Sequence, residues 1–232
     1  MFILSTSVPL YPIFDLYMDI HPLTLGLMIA NGLVSYKGFQ DPSFFDRYKF
    51  QITSIQHGDY KRLFTSAFLH VDLNHLIFNL FTFYFFSEVV IYSLGSTALL
   101  WVYFVSLLAG SYFGLFVHKK EPYYSAVGAS GAVTGVLYAA IYLVPDMRLG
   151  FFFIPIPLPA YLVGLGYMLY TIYGMKKRTS NIGHSAHFGG AIGGLIIAIV
   201  LAPERVSLNP IASMCLLAPL LLMGILIKNK KV

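Results

Sequence analysis

His184-Ser-Ala-His187-Phe-Gly-Gly190-Ala-Ile-Gly-Gly194-Leu-Ile-Ile-Ala-Ile-Val-Leu-Ala202 contains no Asp, Glu, Lys or Arg and runs straight into Pro203-Glu204-Arg205. Its length approaches the roughly 20 apolar residues that an α-helix needs to cross a bilayer. Gly190 and Gly194 are spaced four apart, as are Gly189 and Gly193. Small residues at that spacing let two helices approach closely in lipid. The stretch therefore reads as a membrane helix built to pack tightly, with histidine near its start.

The rest of the chain agrees. Of 232 residues, 57% are hydrophobic and 11% charged, and the mean hydropathy is +0.73. A soluble domain needs more charge than that to cover its surface, so the composition indicates an all-α polytopic membrane protein. The single Cys215 excludes an internal disulfide framework and a cysteine-based metal cluster. The net charge of +5 sits in the gaps between apolar runs, where it meets lipid headgroups rather than nucleic acid. No Lys or Arg precedes Lys37, so the first apolar segment is expected to be retained rather than removed as a signal peptide.

Turn signals divide the chain into seven expected helices: about 22–36, 69–94, 97–117, 128–144, 158–174, 184–202 and 209–227. Part of the apolar stretch before Pro22 is expected to extend the first. The segment 37–62, rich in aromatics and charges, is too long for a simple connection and reads as a structured loop at the membrane surface. Ile154-Pro155-Ile156-Pro157-Leu158-Pro159 cannot be regular helix, because proline removes donors and restricts the residue before it. Phe81–Phe86 and Phe151–Phe153 read as lipid-facing or interfacial aromatics.

Polar residues inside apolar helices are costly and hence functional suspects. His75 and Asn79 lie four apart on one face of the second helix, with His70 just before it. Gly128-Ala129-Ser130-Gly131 opens the fourth helix, and His187 lies near the start of the sixth. Even-numbered helices cross a bilayer in the same direction, so all three groups share one depth. Ser130 suits a nucleophile and His187 its general base. The amide of Asn79, the imidazole of His75 and the backbone N–H of Ser130 suit an oxyanion. No carboxylate lies in the sixth helix to orient His187, which implies a dyad. Gly131 and Gly135 repeat the small-residue spacing of Gly190 and Gly194, so packing of helices four and six would bring Ser130 and His187 together.

Taken singly, Ser130 also reads as a packing residue, and His75 with Asn79 as an interhelical hydrogen bond. His184 and His70 read as structural or interfacial, and Glu88 as a partner of the first loop or a neighbouring helix. A zinc-protease His-Glu-x-x-His pattern is absent. A transporter would show charged or broken helices facing each other at the midplane, of which only Glu88 is a trace.

The run Tyr60-Lys61-Arg62, His70-Val-Asp-Leu-Asn-His75-Leu-Ile-Phe-Asn79, Gly128-Ala-Ser130-Gly131 and Ala186-His187-Phe-Gly-Gly190-Ala-Ile-Gly-Gly194 resembles the rhomboid intramembrane serine proteases. The resemblance implies one domain across 1–232, with a six-helix core over about 20–202 and a seventh helix over about 209–227. It implies cleavage of transmembrane protein substrates by Ser130 and His187, with His75 and Asn79 at the oxyanion, water as co-substrate, and neither cofactor nor metal. An inactive relative that binds membrane clients is the alternative. It also implies that 37–62 is a partly embedded loop and that the fifth helix is the flank where substrate enters. A cell (inner) membrane, with the site on the extracytoplasmic face, follows from it too. On that placement every basic residue except Arg148 and Arg205 lies on the catalytic side, opposite to the positive-inside rule. Many rhomboids carry an aromatic one turn after the serine, packed on the histidine; here Thr134 stands there, and Tyr138 or an aromatic of another helix is expected to replace it.

Overall fold

The computed structural model describes residues 2–4, 20–151, 154–177 and 183–229. Seven long helices occur among them: α1 (Pro22–Gln40), α2 (Leu73–Leu94), α3 (Ser96–His118), α4 (Ser130–Leu143), α5 (Ala160–Lys177), α6 (His184–Leu201) and α7 (Pro210–Lys228). By length and apolarity α2, α3, α6 and α7 are each able to cross a membrane, and α4 is a shorter apolar helix. This is an all-α polytopic membrane protein. The apolar stretch ahead of α1 and the side chains of Phe151–Phe153 lie outside the described residues.

Local chemistry sets the helix ends. The His21 side chain accepts a hydrogen bond from the Leu23 N–H, and Pro22 occupies the first turn of α1, where its missing donor costs nothing. Glu88, buried in α2, accepts from the His21 backbone N–H at 3.3 Å, so the carboxylate meets the N-terminus of α1. Gly95, with φ of 87°, ends α2 and opens α3 in a single residue, a turn that a side chain would strain.

α6 lies at the centre, packed on α3 and α4. A Cβ on Gly190 or Gly194 would run into the carbonyl groups of Gly131 and Gly135 of α4. The neighbouring pair, Gly189 and Gly193, faces α3, where an added Cβ on Gly189 would lie 2.5 Å from the Ala109 carbonyl oxygen. Two glycine stripes thus let one helix approach two partners at backbone distance. Phe83, Phe86, Tyr103, Tyr138 and Phe188 fill the surrounding core. This corrects the reading of Phe81–Phe86 as surface. Phe81 is exposed, but Phe83 and Phe86 turn inward because α2 packs on α4 and on α3.

The segment 37–62 is structured. A helix over Pro42–Tyr48, capped by the Asp41 carboxylate, is followed by β2 (Phe50–Gln51) and a turn of helix over Ile52–Gln56. β2 pairs antiparallel with β3 (Ser125–Ala126), Phe50 opposite Ala126. That pair ties the first loop to the strand leading into Gly128-Ala129-Ser130. At the far end of the bundle, β1 (Phe2–Leu4), β4 (Arg148–Phe151) and β5 (Ile154–Pro159) form a small antiparallel sheet in that order. The prolines of β5 are tolerated because it is an edge strand.

Candidate active site

Site construction begins just before α2. Asp72 is the N-cap, its carboxylate accepting from the His75 N–H at 2.7 Å, which fixes the first turn and the His75 side chain with it. His70 is fully buried. Its Nε2 accepts from the Ala129 N–H at 3.3 Å, and its Nδ1 lies 2.8 Å from the Ser35 hydroxyl. Because an N–H donates to Nε2, the ring hydrogen must sit on Nδ1 and point to Ser35, whose own hydrogen goes to the Phe68 carbonyl at 2.9 Å. His70 is a neutral clamp on the residue preceding Ser130, in line with the structural reading of its sequence position.

Gly128 has φ of 129°, and a Cβ there would fall 2.7 Å from Cε1 of His75. Its N–H donates to the Ser66 carbonyl at 3.0 Å. Gly128 therefore lets the backbone bend over the His75 ring, outside any helix–helix contact. Ser130 is the first residue of α4, whose cap residue, Ala129, offers no side-chain acceptor. The N–H groups of such a first turn have no acceptor within their own helix. Gly131 lies against the Ala186 carbonyl oxygen, 3.2 Å from where its Cβ would be, so the residues next to Ser130 and His187 touch.

His75, Asn79, Ser130, His187 and Tyr167 all line one open cavity of about 1540 Å³. Gly128 and Gly131 also line it, whereas Gly135, Gly190 and Gly194 lie behind it in the helix contact. Asn79 donates one amide hydrogen to the His75 carbonyl at 2.9 Å. Nδ1 of His75 is buried with no hydrogen-bond partner among the described residues. An unpaired lone pair costs less than an unpaired N–H, so the hydrogen belongs on Nε2, beside Gly128. Among the described residues, no three His, Cys, Asp or Glu side chains are placed to share a metal ion.

The sequence expects an aromatic beside His187 without naming Tyr167, and it gives no role to His118. The Tyr167 hydroxyl of α5 lies 2.9 Å from Nδ1 of His187, the rings near parallel with centroids 6.1 Å apart. Thr134 of α4 lies beside the same phenol. Tyr138 does not support His187: its hydroxyl is committed to the Gly164 carbonyl at 2.5 Å. His118 at the end of α3 contacts Glu121 at 3.0 Å and Ser185 at 3.1 Å, and stacks on Tyr124 at 3.6 Å, pinning the start of α6. His184 is buried at the start of α6, edge-on to Tyr170 and 6.4 Å from the His187 ring.

Fold and site define a polytopic helical membrane protein with serine, histidine and amide groups gathered in one cavity. The chain belongs to the rhomboid family: residues 57–204 match the rhomboid domain. It is 32% identical over 186 residues to RHOMBOID-like protein 12, mitochondrial, of Arabidopsis thaliana, covering 73% of this chain and 55% of that protein. Rhomboid protein 1, mitochondrial, of Saccharomyces cerevisiae is 31% identical over 134 residues, 56% of this chain and 39% of its own length. Rhomboid protease GluP of Bacillus subtilis is 34% identical over 149 residues, 63% of this chain and 27% of its own length. The chain thus spans about half or less of the length of these relatives. The plant and yeast proteins carry mitochondrial names, against the expectation of a cell membrane.

Proposed function

We propose that this chain is an intramembrane serine endopeptidase acting on transmembrane protein substrates. The observation that carries the reading is the shared cavity: Ser130 at the first residue of α4, with His187, His75 and Asn79 on the same walls. The name of the Bacillus relative, a rhomboid protease, supports it.

Nε2 of His187 takes the Ser130 hydroxyl proton as Oγ attacks the scissile carbonyl carbon. The oxyanion receives hydrogen bonds from the Ser130 N–H, the His75 Nε2–H and the Asn79 amide, beside the positive end of the α4 dipole. The tetrahedral species collapses, His187 returns the proton to the leaving amine, and an acyl-enzyme forms on Ser130. Water, activated by the same nitrogen, releases the second product. No step draws on a cofactor or metal.

Depth follows from helix length. The 14 residues of α4 span about 21 Å at 1.5 Å per residue, short of the ~30 Å hydrocarbon layer. With its C-terminus at one surface, α4 holds Ser130 below the other, within reach of a peptide bond near the end of a substrate helix. The resemblance puts that surface on the extracytoplasmic side. Impermeant thiol labelling from that side of a cysteine at position 120, with protection of one at 205, is the expected result.

The test of activity uses detergent-purified protein and a single-span reporter substrate. Ser130→Ala and His187→Ala abolish cleavage and fluorophosphonate labelling while the fold persists. Cleavage near the wild-type rate in either variant overturns the assignment. Wild-type protein that neither cleaves nor labels at Ser130 favours an inactive client-binding role.

A further inference from the structure

We propose that Tyr167 is the positioning residue of the dyad, fixing the tautomer and plane of His187 with Thr134 as its own anchor. The inference rests on Ser130 and His187 being the reacting pair.

For Nε2 of His187 to accept the Ser130 proton, the resting ring hydrogen must be on Nδ1. The atom waiting there is the Tyr167 oxygen at 2.9 Å. In that arrangement Nδ1–H donates to the phenol oxygen, and the phenol's own hydrogen is left for the neighbouring Thr134 hydroxyl to accept. Were the phenol to donate to Nδ1 instead, Nε2 would carry the hydrogen and could not act as base. Thr134 therefore selects the productive direction by giving the phenol hydrogen another acceptor. The near-parallel ring of Tyr167, 26° from the imidazole plane, limits rotation of His187 about its side chain.

This arrangement also accounts for the threonine. Thr134 stands one turn after Ser130 on α4 and is buried. The chain supplies the aromatic from α5, its hydroxyl at the edge of His187, and a small hydroxyl from α4. No carboxylate takes part. A phenol stays neutral while the imidazolium forms, so the stabilisation is a dipole's and weaker than an ion pair's.

The test compares kcat and KM on the reporter substrate, with fluorophosphonate labelling, for wild type, Tyr167→Phe, Thr134→Val and the double variant. Tyr167→Phe keeps the ring and removes only the hydroxyl. The expected result is a fall of about tenfold or more in kcat and in labelling rate, with KM within about twofold. Thr134→Val gives a smaller fall, Thr134→Ser restores the wild-type rate, and the double variant is no worse than Tyr167→Phe, because both act through one bond. Should Tyr167→Phe fold poorly, Thr134→Val against Thr134→Ser carries the same comparison. Wild-type kcat in Tyr167→Phe, or falls that simply multiply in the double variant, overturn the inference. Wild-type protein that does not label at Ser130 overturns the protease reading, and this inference falls with it.

Discussion

The Ala129 N–H donates to Nε2 of His70 at 3.3 Å, tying the residue before Ser130 to a side chain that sits just ahead of α2. The bond crosses from one chain segment to another and ends on the Ser35 hydroxyl of α1 at 2.8 Å. Three parts of the chain are thereby fixed to the turn that presents Ser130. Removing the ring should cost about 1–3 kcal/mol, the penalty for a buried donor left unpaired. His70→Ala is expected to lower the unfolding temperature in detergent and slow fluorophosphonate labelling of Ser130. Ser35→Ala should cost less, because the Ala129 bond survives. Equal effects from the two would show that the ring's contact with Ala129 carries nothing.

The same histidine gives a pH dependence with a defined sign. Burial among apolar neighbours, helped by the nearby His75 and opposed by Asp72, pushes His70 down to about 3. An unfolded histidine titrates near 6.5. Between those values the unfolded chain binds a proton that the folded chain refuses, so stability falls as the pH drops. The contribution is complete above about pH 6.5 and is lost progressively toward 3. Wild-type protein is expected to lose thermal stability between pH 7 and pH 4.5 more steeply than His70→Gln, which keeps an acceptor but does not titrate. Parallel slopes for the two proteins would remove His70 from the account.

Much of this arrangement is legible in the sequence, for particular reasons. Four of the long helices start or end at residues with strong local rules: Pro22, Asp72, Gly95, and the proline-rich run before Ala160. Parity of direction then puts His75, Ser130 and His187 at one depth, and they do share a cavity. What escapes is anything decided by helix rotation. Phe83 and Phe86 look like Phe81 in a string of aromatics, and only packing separates the buried from the exposed. Tyr167 is one of many tyrosines, and no spacing rule links α5 to His187. The hairpin of β4 and β5 is hidden because its prolines argue against helix without saying what replaces it.

The contact of α4 with α6 gives a steric prediction. A Cβ at Gly190 collides with the Gly131 carbonyl, which is backbone and has nowhere to go. Gly190→Val should separate the two helices next to Ser130 and His187, abolishing labelling and costing roughly 1–3 kcal/mol or more from overpacking. Gly224→Ala of α7, where nothing lies within 4 Å, is the control. It should be neutral or slightly stabilising, since alanine favours a helix over glycine by about 1 kcal/mol. A Gly190→Val protein with wild-type melting and labelling would contradict the packing.

Arg62 holds the first loop, and its replacement by lysine should not be conservative. Its Nε donates to the Asp59 carboxylate at 2.8 Å, and its Nη1 reaches the Asp46 and Lys49 carbonyls, each at 2.8 Å. The guanidinium beside it holds the Asp59 carboxyl below the ordinary carboxylate range. Lysine is a point charge on a flexible stem and cannot reproduce that three-way fork. In Arg62→Lys both carbonyl contacts weaken together, so the segment from Pro42 to Gln51 should open and be nicked faster by added protease. Since Phe50 pairs with Ala126 ahead of Gly128, labelling of Ser130 should fall as well. Asp59→Asn leaves both carbonyl contacts in place and is expected to have a smaller effect on both measures. If Asp59→Asn loosens the loop as much as Arg62→Lys, the ion pair rather than the fork holds it.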